Sequence, residues 1–457
     1  MRYVPDHYDL FECLGGECEH SCCLGGWEVD IDEETYRKYQ EIKGNLGDRL
    51  RHETEDVEED GEVFHTFRLR HDTCPFFNEE GLCDIQKSEG EKALCTICRE
   101  FPRYTIPFGR DEERTLTLSC EEAARLLFTK QDKDTMVPYE GPEYEEGDSF
   151  AETDEGEELL SPSDLEIIRR RAIALLQDRW LTIDERIIRY LAYCRELQAK
   201  INAGESDLTG EVRADREELP SEKQEAEADA PLPADFDFSG LFSGSLGSSA
   251  FDTASVPEEE QENDEAEAPT LLRFREMTFD MAPVTEEEMK TYYDERLAIL
   301  ETMEVLGEEW QTLLDQLKRW DGGIFHEGKR LSPLRRFMRD KTCSLEREMA
   351  WEHLMVYYTV RYFPRALYDG DLLGKAEFAV FLLMCLRDIE LLTYLKNSEE
   401  RKDRPAKEWW TLSDRIEVVR IFTRQVEHSD GNVEAIFEEL LFADCGRAEA
   451  LIRQVRH

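Results

Sequence analysis

From about residue 163 onward, apolar positions recur three and four apart, the spacing that lays them on one face of an α-helix. Ile167, Ile168, Ala172, Leu175 and Leu176 predict one such helix, and Ser163 with Glu166 three residues on predicts a capping box at its start. Thr182 and Glu185 repeat the signal ahead of Ile187, Ile188, Leu191 and Leu197. Thr285 and Glu288 open a longer pattern through Leu297, Leu300, Leu306 and Leu313, and Ser332-Pro333 sets a cap before a proline at the first helical position. Trp351, Leu354, Met355, Tyr358 and Tyr362 predict a helix beginning near Ser344. Lys375 to Leu395 is almost continuously apolar, which predicts a buried central helix. Leu412 to Val426 and Val433 to Leu441 complete the helical series.

The first 120 residues read differently. Trp27 to Ile31, Val63 to Leu69 and Thr115 to Leu118 alternate as short strands do, and Thr35 to Gln40 opens a short helix. The acidic run Glu53 to Glu62 is expected to tip a loop. Gly15-Gly16 and Gly25-Gly26 permit tight turns. Strands do not alternate with helices along the chain, which argues against a parallel sheet. The expected fold is mainly α: a small loop-rich α+β cysteine module, then an all-helical body, interrupted by a disordered acidic linker.

Charge places that linker. The chain has 457 residues and a formal net charge of -49, an excess that argues against nucleic acid and against anionic membrane surfaces as partners. Between Ala203 and Pro269 there are 20 acidic residues against 3 basic ones, with a Ser/Gly-rich stretch from Phe238 to Ser249. Such composition buries too little apolar surface to offset the entropy of ordering. A shorter acidic stretch runs from Tyr139 to Glu158. The expected organisation is a cysteine-rich module over 1–135, an acidic loop over 136–160, a helical hairpin over 161–202, the linker over 203–269 and a helical domain over 270–457.

Cysteine usage carries the chemistry. Of 13 cysteines, nine lie between Cys13 and Cys120: Cys13, Cys18, Cys22 and Cys23, then Cys74 and Cys83, then Cys95, Cys98 and Cys120. Cys194, Cys343, Cys385 and Cys445 stand singly in apolar or helical sequence, as small buried hydrophobes do. The amino end has no apolar run after its basic residue, and the longest strongly apolar stretch, Phe378 to Leu386, is about half a membrane span. The expectation is a cytoplasmic chain with reduced thiols, in which closely spaced cysteines bind metal rather than form disulfides. A bound metal would also stabilise so small a module.

The segments Phe11-Glu12-Cys13 through Ser21-Cys22-Cys23, Cys74-Pro75-Phe76-Phe77 through Cys83-Asp84-Ile85-Gln86, and Leu94-Cys95-Thr96-Ile97-Cys98-Arg99-Glu100-Phe101-Pro102-Arg103 together resemble the flagellin lysine-N-methylase (FliB-like) family. Their broader pattern is similar to a wider group of zinc- or iron-chelating modules. The resemblance continues more weakly through Leu176-Gln177-Asp178-Arg179 and Tyr362-Phe363-Pro364-Arg365 to Asp371.

That resemblance implies methyl transfer from S-adenosylmethionine to lysine side chains of flagellin or another protein, with a 4Fe-4S iron-sulfur cluster, zinc being the alternative. By position, Cys18, Cys22, Cys23, Cys74, Cys83 and Cys98 match the wider chelating pattern, and Cys13 and Cys120 match the narrower family. One four-iron cluster takes four thiolates, so spacing alone does not choose the set. Arg99 and Arg103 are candidates for the methyl donor's carboxylate, with ion pairing to Glu100 or Glu91 as the plainer role. His20 is the one histidine considered as a ligand. Trp27 reads as a groove or core aromatic, and Tyr357, Tyr358 and Tyr362 as helpers in deprotonating a lysine or as core. The catalytic residue is left open. No Gly-rich strand-to-helix turn of the dinucleotide type is present. A non-catalytic metal-binding scaffold or sensor, and cluster-based redox chemistry, are the competing readings.

Overall fold

The computed structural model describes residues 2–25, 29–59, 62–71, 73–139, 159–205, 208, 284–324 and 344–455. Trp27, Cys343, the Ser332-Pro333 cap and nearly all of both acidic stretches lie outside the described residues. Residues 1–208 and 281–457 form one compact unit.

The chain is mainly helical with two small sheets. The first sheet has the order β4-β5-β1-β6, from β1 (Arg2–Pro5), β4 (Arg103–Phe108), β5 (Asp111–Leu116) and β6 (Met136–Pro138). β4 and β5 form an antiparallel hairpin with Arg103 opposite Leu116. β1 is antiparallel to β6 but parallel to β5, with Tyr3 opposite Glu113. The expectation of no parallel pairing fails at this one ladder, because the long stretch of chain between β1 and β5 supplies the crossover that parallel strands need without a regular strand–helix alternation. The second sheet is an antiparallel hairpin of β2 (Thr54–Glu59) and β3 (Glu62–Phe67). The acidic run expected to tip a loop therefore supplies a whole strand. Exposed Asp56 and Glu58 alternate with partly buried Glu55 and Val57, which lie opposite Thr66 and Phe64. Of the expected strand at Trp27 to Ile31, the described residues 29–31 hold one bridge, Asp30 to Thr66.

Five short helices complete the amino-terminal part: α1 (Glu33–Glu41), α2 (Asn45–Glu53), α3 (Asp84–Glu89), α4 (Thr96–Glu100) and α5 (Glu121–Thr129). The body consists of α6 (Pro162–Leu176), α7 (Ile183–Asn202), α8 (Glu286–Thr302), α9 (Glu308–Ile324), α10 (Ser344–Tyr362), α11 (Ala366–Asp369), α12 (Leu372–Glu400), α13 (Leu412–Glu427), α14 (Asp430–Leu440) and α15 (Ala448–Val455). As its apolar run predicts, α12 is the central helix, buried from Phe378 to Leu386 and packed against α7, α10, α13 and α15. Among the described residues, no helix is long and apolar enough to cross a membrane.

The capping boxes at Thr182/Glu185 and Thr285/Glu288 form as read, each with reciprocal side chain–backbone bonds. The one expected at Ser163/Glu166 does not. α6 starts two residues earlier, with Ser161 at the N-cap and Pro162 in the first turn. Proline's fixed φ suits that position, and its missing N–H needs no cap. The long pattern after Thr285 is two helices. The break is held by buried amides: Asn432 Oδ1 accepts from Glu304 N–H (2.7 Å) and Gln425 Oε1 from Leu306 N–H (3.0 Å).

Helix α15 was not expected from the sequence. Its first turn is capped from α12, where Glu377 Oε1 accepts the Ala448 N–H at 2.7 Å. Burial pushes the Glu377 carboxyl up from 4.5 to about 7. The folded state thus holds this proton more tightly than the unfolded chain. The resulting stability is fully present below the unfolded value of 4.5 and is lost as pH rises through about 7. Glu377→Gln, which keeps an acceptor for Ala448, is expected to gain on the parent by on the order of 2 kcal/mol between about pH 5 and pH 8. Urea unfolding at both values checks this, and parallel pH dependences for the two proteins would reject it.

Candidate metal centre and the polar seam beside it

Several of the cysteines are placed by a turn or a helix start. Cys22 and Cys23 sit in a 3-10 turn whose first residue, Ser21, accepts the Cys23 N–H through Oγ at 3.3 Å. The Cys23 carbonyl accepts the Cys74 N–H (2.8 Å), and Phe77 bridges to Cys83, so the first two bursts are stitched together. Gly16 makes this possible: a Cβ there would lie 2.8 Å from the Glu80 carbonyl oxygen. Cys83, Cys95 and Cys120 occupy the positions just before α3, α4 and α5, and Cys98 lies within α4.

The nine thiols interact with one another in the fold, and five of them lie in or against two apolar clusters. Cys95 is fully buried among Val29, Ile31, Tyr39, Leu50, Phe67 and Phe76, with Cys74, Cys83 and Cys98 packed on that cluster. Cys120 packs on a second cluster of Val4, Tyr8, Leu116 and Ala123, beside Phe11. Cys13 and Cys22 keep exposed edges. All twelve described cysteines are free thiols, and Cys194, Cys385 and Cys445 are buried away from these clusters, as expected of small core residues.

The thiols bond to one another. Hydrogen bonds from Cys22 and then Cys74 pull the Cys23 thiol down to about 3, and Cys98 lowers Cys95 in the same way. Cys22 is pushed up by its bond to Cys23 and then by burial of the sulfur, although the residue keeps an exposed edge. Burial, then the Glu121 carboxylate 3.7 Å from Sγ, pushes Cys18 up to about 11. Among the described residues, no three cysteine sulfurs lie within 4.8 Å of one another. A tetrahedral zinc site with Zn–S of about 2.3 Å needs sulfurs about 3.8 Å apart. A cubane cluster, in which each thiolate binds a different iron, holds them wider. The donor set is thiol-rich and partly buried, the chemistry that both iron–sulfur clusters and zinc take, and a zinc ion would require the sulfurs to close in.

The other sequence candidates lie around this centre. Arg99 Nε is 3.6 Å from Glu100, and Arg103 lies over the Phe11 ring at 5.2 Å. The His20 ring meets Glu417 of α13 (2.9 Å) rather than a thiol, while its backbone N–H donates to Glu121 (3.2 Å). Tyr357, Tyr358 and Tyr362 are buried. The first and last donate to the Glu427 carboxylate, at 2.7 and 3.4 Å.

Glu427 anchors a polar seam between the sheet and the helices that sequence reasoning did not find. Its carboxylate also accepts from Thr117 Oγ1 (3.0 Å) and pairs with Arg361 (3.2 Å), whose guanidinium lies 3.8 Å over the Tyr104 ring. Ser119 Oγ bonds His428 Nε2 at 2.8 Å, one residue before Cys120. Burial, then Arg424 and Arg361, holds His428 down at about 3, so it is neutral. Further along, Glu113 pairs with Arg169 in a buried two-pronged bridge, and Asp134 meets His353 at 2.6 Å. The available signal for Glu427 was its place one turn beyond Thr423 on the buried face of α13, which composition alone does not separate from a solvent-facing glutamate.

Comparisons with known proteins bear directly on the carboxy-terminal part of the body. Residues 257–453 match the family model described as FliB lysine N-methylase C-terminal domain. The chain is 29% identical over 133 residues to the lysine-N-methylase of Salmonella typhimurium, a match covering 28% of this chain and 32% of that protein. It is likewise 29% identical over 133 residues to the flagellar biosynthetic protein FliU of Salmonella muenchen, covering 28% of this chain and 77% of that protein. The match thus spans about a third of the length of the lysine-N-methylases, including that of Salmonella choleraesuis. No solved structure matches.

Proposed function

We propose that this FliB-like chain is a protein lysine N-methyltransferase that uses S-adenosylmethionine, acts on flagellin or another lysine-bearing protein in a reducing compartment such as the cytoplasm, and carries a cysteine-held iron–sulfur cluster. The observation that carries this reading is the pairing of a nine-thiol cluster with a helical body whose carboxy-terminal part matches the FliB model.

In the reaction, the neutral lysine nitrogen attacks the methyl carbon of the donor. The carbon–sulfur bond breaks, its electron pair stays on sulfur, S-adenosylhomocysteine leaves, and a base takes the amine's proton. The cluster, when bound, supplies a redox-active anionic centre and ties together turns that are distant in sequence. The chain's own part is to gather the thiols and hold them out of bulk water. Arg99 and Arg103, on either side of the turn from α4 into β4, are the guanidinium groups we assign to the donor's carboxylate.

Anaerobically purified, metal-loaded protein incubated with flagellin and methyl-labelled S-adenosylmethionine should place label on lysine. Metal-loaded protein that transfers no label would instead favour a non-catalytic metal scaffold. Iron and acid-labile sulfide in equal amounts are expected; zinc alone would remove the iron–sulfur assignment.

A further inference from the structure

We infer that Glu121, His20 and Glu417 form a clasp that sets the turn from Cys18 to Cys22 for metal binding, which makes Glu121 and His20 positioning residues of the centre that act without ligating it. The inference rests on the metal reading above and adds to it that α5 and α13, rather than an apolar core of its own, hold the first burst of thiols in place.

The first burst has little apolar anchorage. Between Tyr8 and Val29, no described residue has a buried apolar side chain. Burial, which ordinarily fixes where a segment lies, is replaced here by polar ties. One reaches the second burst, where the Cys74 N–H donates to the Cys23 carbonyl at 2.8 Å. The others reach α5 and the helical body.

Glu121, in the first turn of α5 and next to Cys120, uses one oxygen for two partners. Its Oε2 accepts the His20 N–H at 3.2 Å and the Cys18 S–H at 3.7 Å. The His20 ring meets Glu417 Oε2 of α13 at 2.9 Å. Glu417 is itself held, because the buried Arg420 guanidinium donates to it at 3.1 Å and to Glu309 of α9 at 2.8 Å. The residue midway between Cys18 and Cys22 is thus tied through its backbone to α5 and through its side chain to α13.

Metal binding to Cys18 replaces its proton. The S–H bond to Glu121 then ends, while the His20 N–H keeps its acceptor. The Glu121 charge opposes a neighbouring thiolate, so what this side chain contributes to loading is the position of the turn. Outer hydrogen bonds of this kind orient metal ligands, and their loss typically weakens binding by about 10–100-fold.

The test reads metal in the full chain under anaerobic conditions: zinc affinity by competition with a chromophoric chelator, and iron and sulfide per chain after reconstitution. Glu121→Ala and His20→Ala should each weaken zinc binding by about 10–100-fold and lower the iron retained, with urea midpoints of the metal-free chains close to the parent's. Glu121→Gln keeps an oxygen for the His20 N–H and removes the charge, so it should bind at least as tightly as the parent. Glu417→Ala should reproduce His20→Ala, and the double variant of these two should lose no more than either alone. Parent-like affinity in both Glu121→Ala and His20→Ala overturns the clasp. Equal losses in Glu121→Gln and Glu121→Ala overturn the positioning role in favour of charge, and additive losses for His20 and Glu417 overturn the link between them. If metal-free Glu121→Ala unfolds early, Glu121→Gln and the His20/Glu417 cycle decide. A parent that takes up no metal overturns the metal reading itself, an outcome distinct from all of these.

Discussion

Replacing Glu427 by alanine is expected to destabilise the protein by about 3–5 kcal/mol, the cost of leaving one partner of a buried ion pair uncompensated. The carboxylate is almost wholly enclosed and faces Arg361, itself buried. Burial pushes the Glu427 carboxyl up, Arg361 acts against this, and hydrogen bonds from Tyr357, Thr117 and Tyr362 add to the restraint. Without Glu427, the Arg361 guanidinium loses its carboxylate partner and keeps the faces of Tyr104 and Tyr362, and the Thr117 and Tyr357 hydroxyls lose their acceptor. The variant's denaturation midpoint should fall sharply. Tyr357→Phe, which removes one bond to a charged group, should lose only about 1.5–3 kcal/mol. A Glu427→Ala midpoint equal to the parent's would mean that water reaches Arg361 and that the seam is not closed.

The second large effect concerns the metal. With metal loaded, Cys98→Ala is expected to unfold at much lower denaturant than the parent, because thiolate–metal binding, about 10–16 kcal/mol in zinc modules, is also folding energy. Cys385→Ala removes one sulfur from a buried position on α12. It should cost on the order of 1 kcal/mol and leave metal content unchanged. A chelator should bring the parent down towards Cys98→Ala and leave the Cys385→Ala difference intact. Equal losses for the two variants under metal-loaded conditions would refute the division between ligating and packing cysteines.

The helices were legible because their apolar faces recur at helical spacing and their caps are local. Thr182, Thr285 and the run at Phe378 to Leu386 each needed only neighbours within a few residues. Where the reading failed, a distant residue intervened. Helix α15 is short and depends on Glu377, and the break between α8 and α9 depends on Asn432 and Gln425. The cysteines were found because thiols are rare and clustered, and the fold brings all nine together. Which of them would share a centre was not legible, since that depends on contacts distant in sequence such as the tie between Cys23 and Cys74. The Glu427 seam joins Thr117 to α10 and α13, a relation between residues some 310 positions apart that no local pattern records.

The placement of the first strand has a consequence for biogenesis. Residues at the very start of the chain lie between β5 and β6, pairing with Glu112 and Glu113 on one side and with Met136 to Pro138 on the other. On the ribosome, that slot does not exist until well over a hundred residues have been made. Every thiol from Cys13 to Cys120 emerges before the sheet beside it can close. Loop closure over such a span is slow. The nascent thiols therefore lie in an incomplete module until residue 138 has emerged, and exposed thiols are open to oxidation throughout that interval.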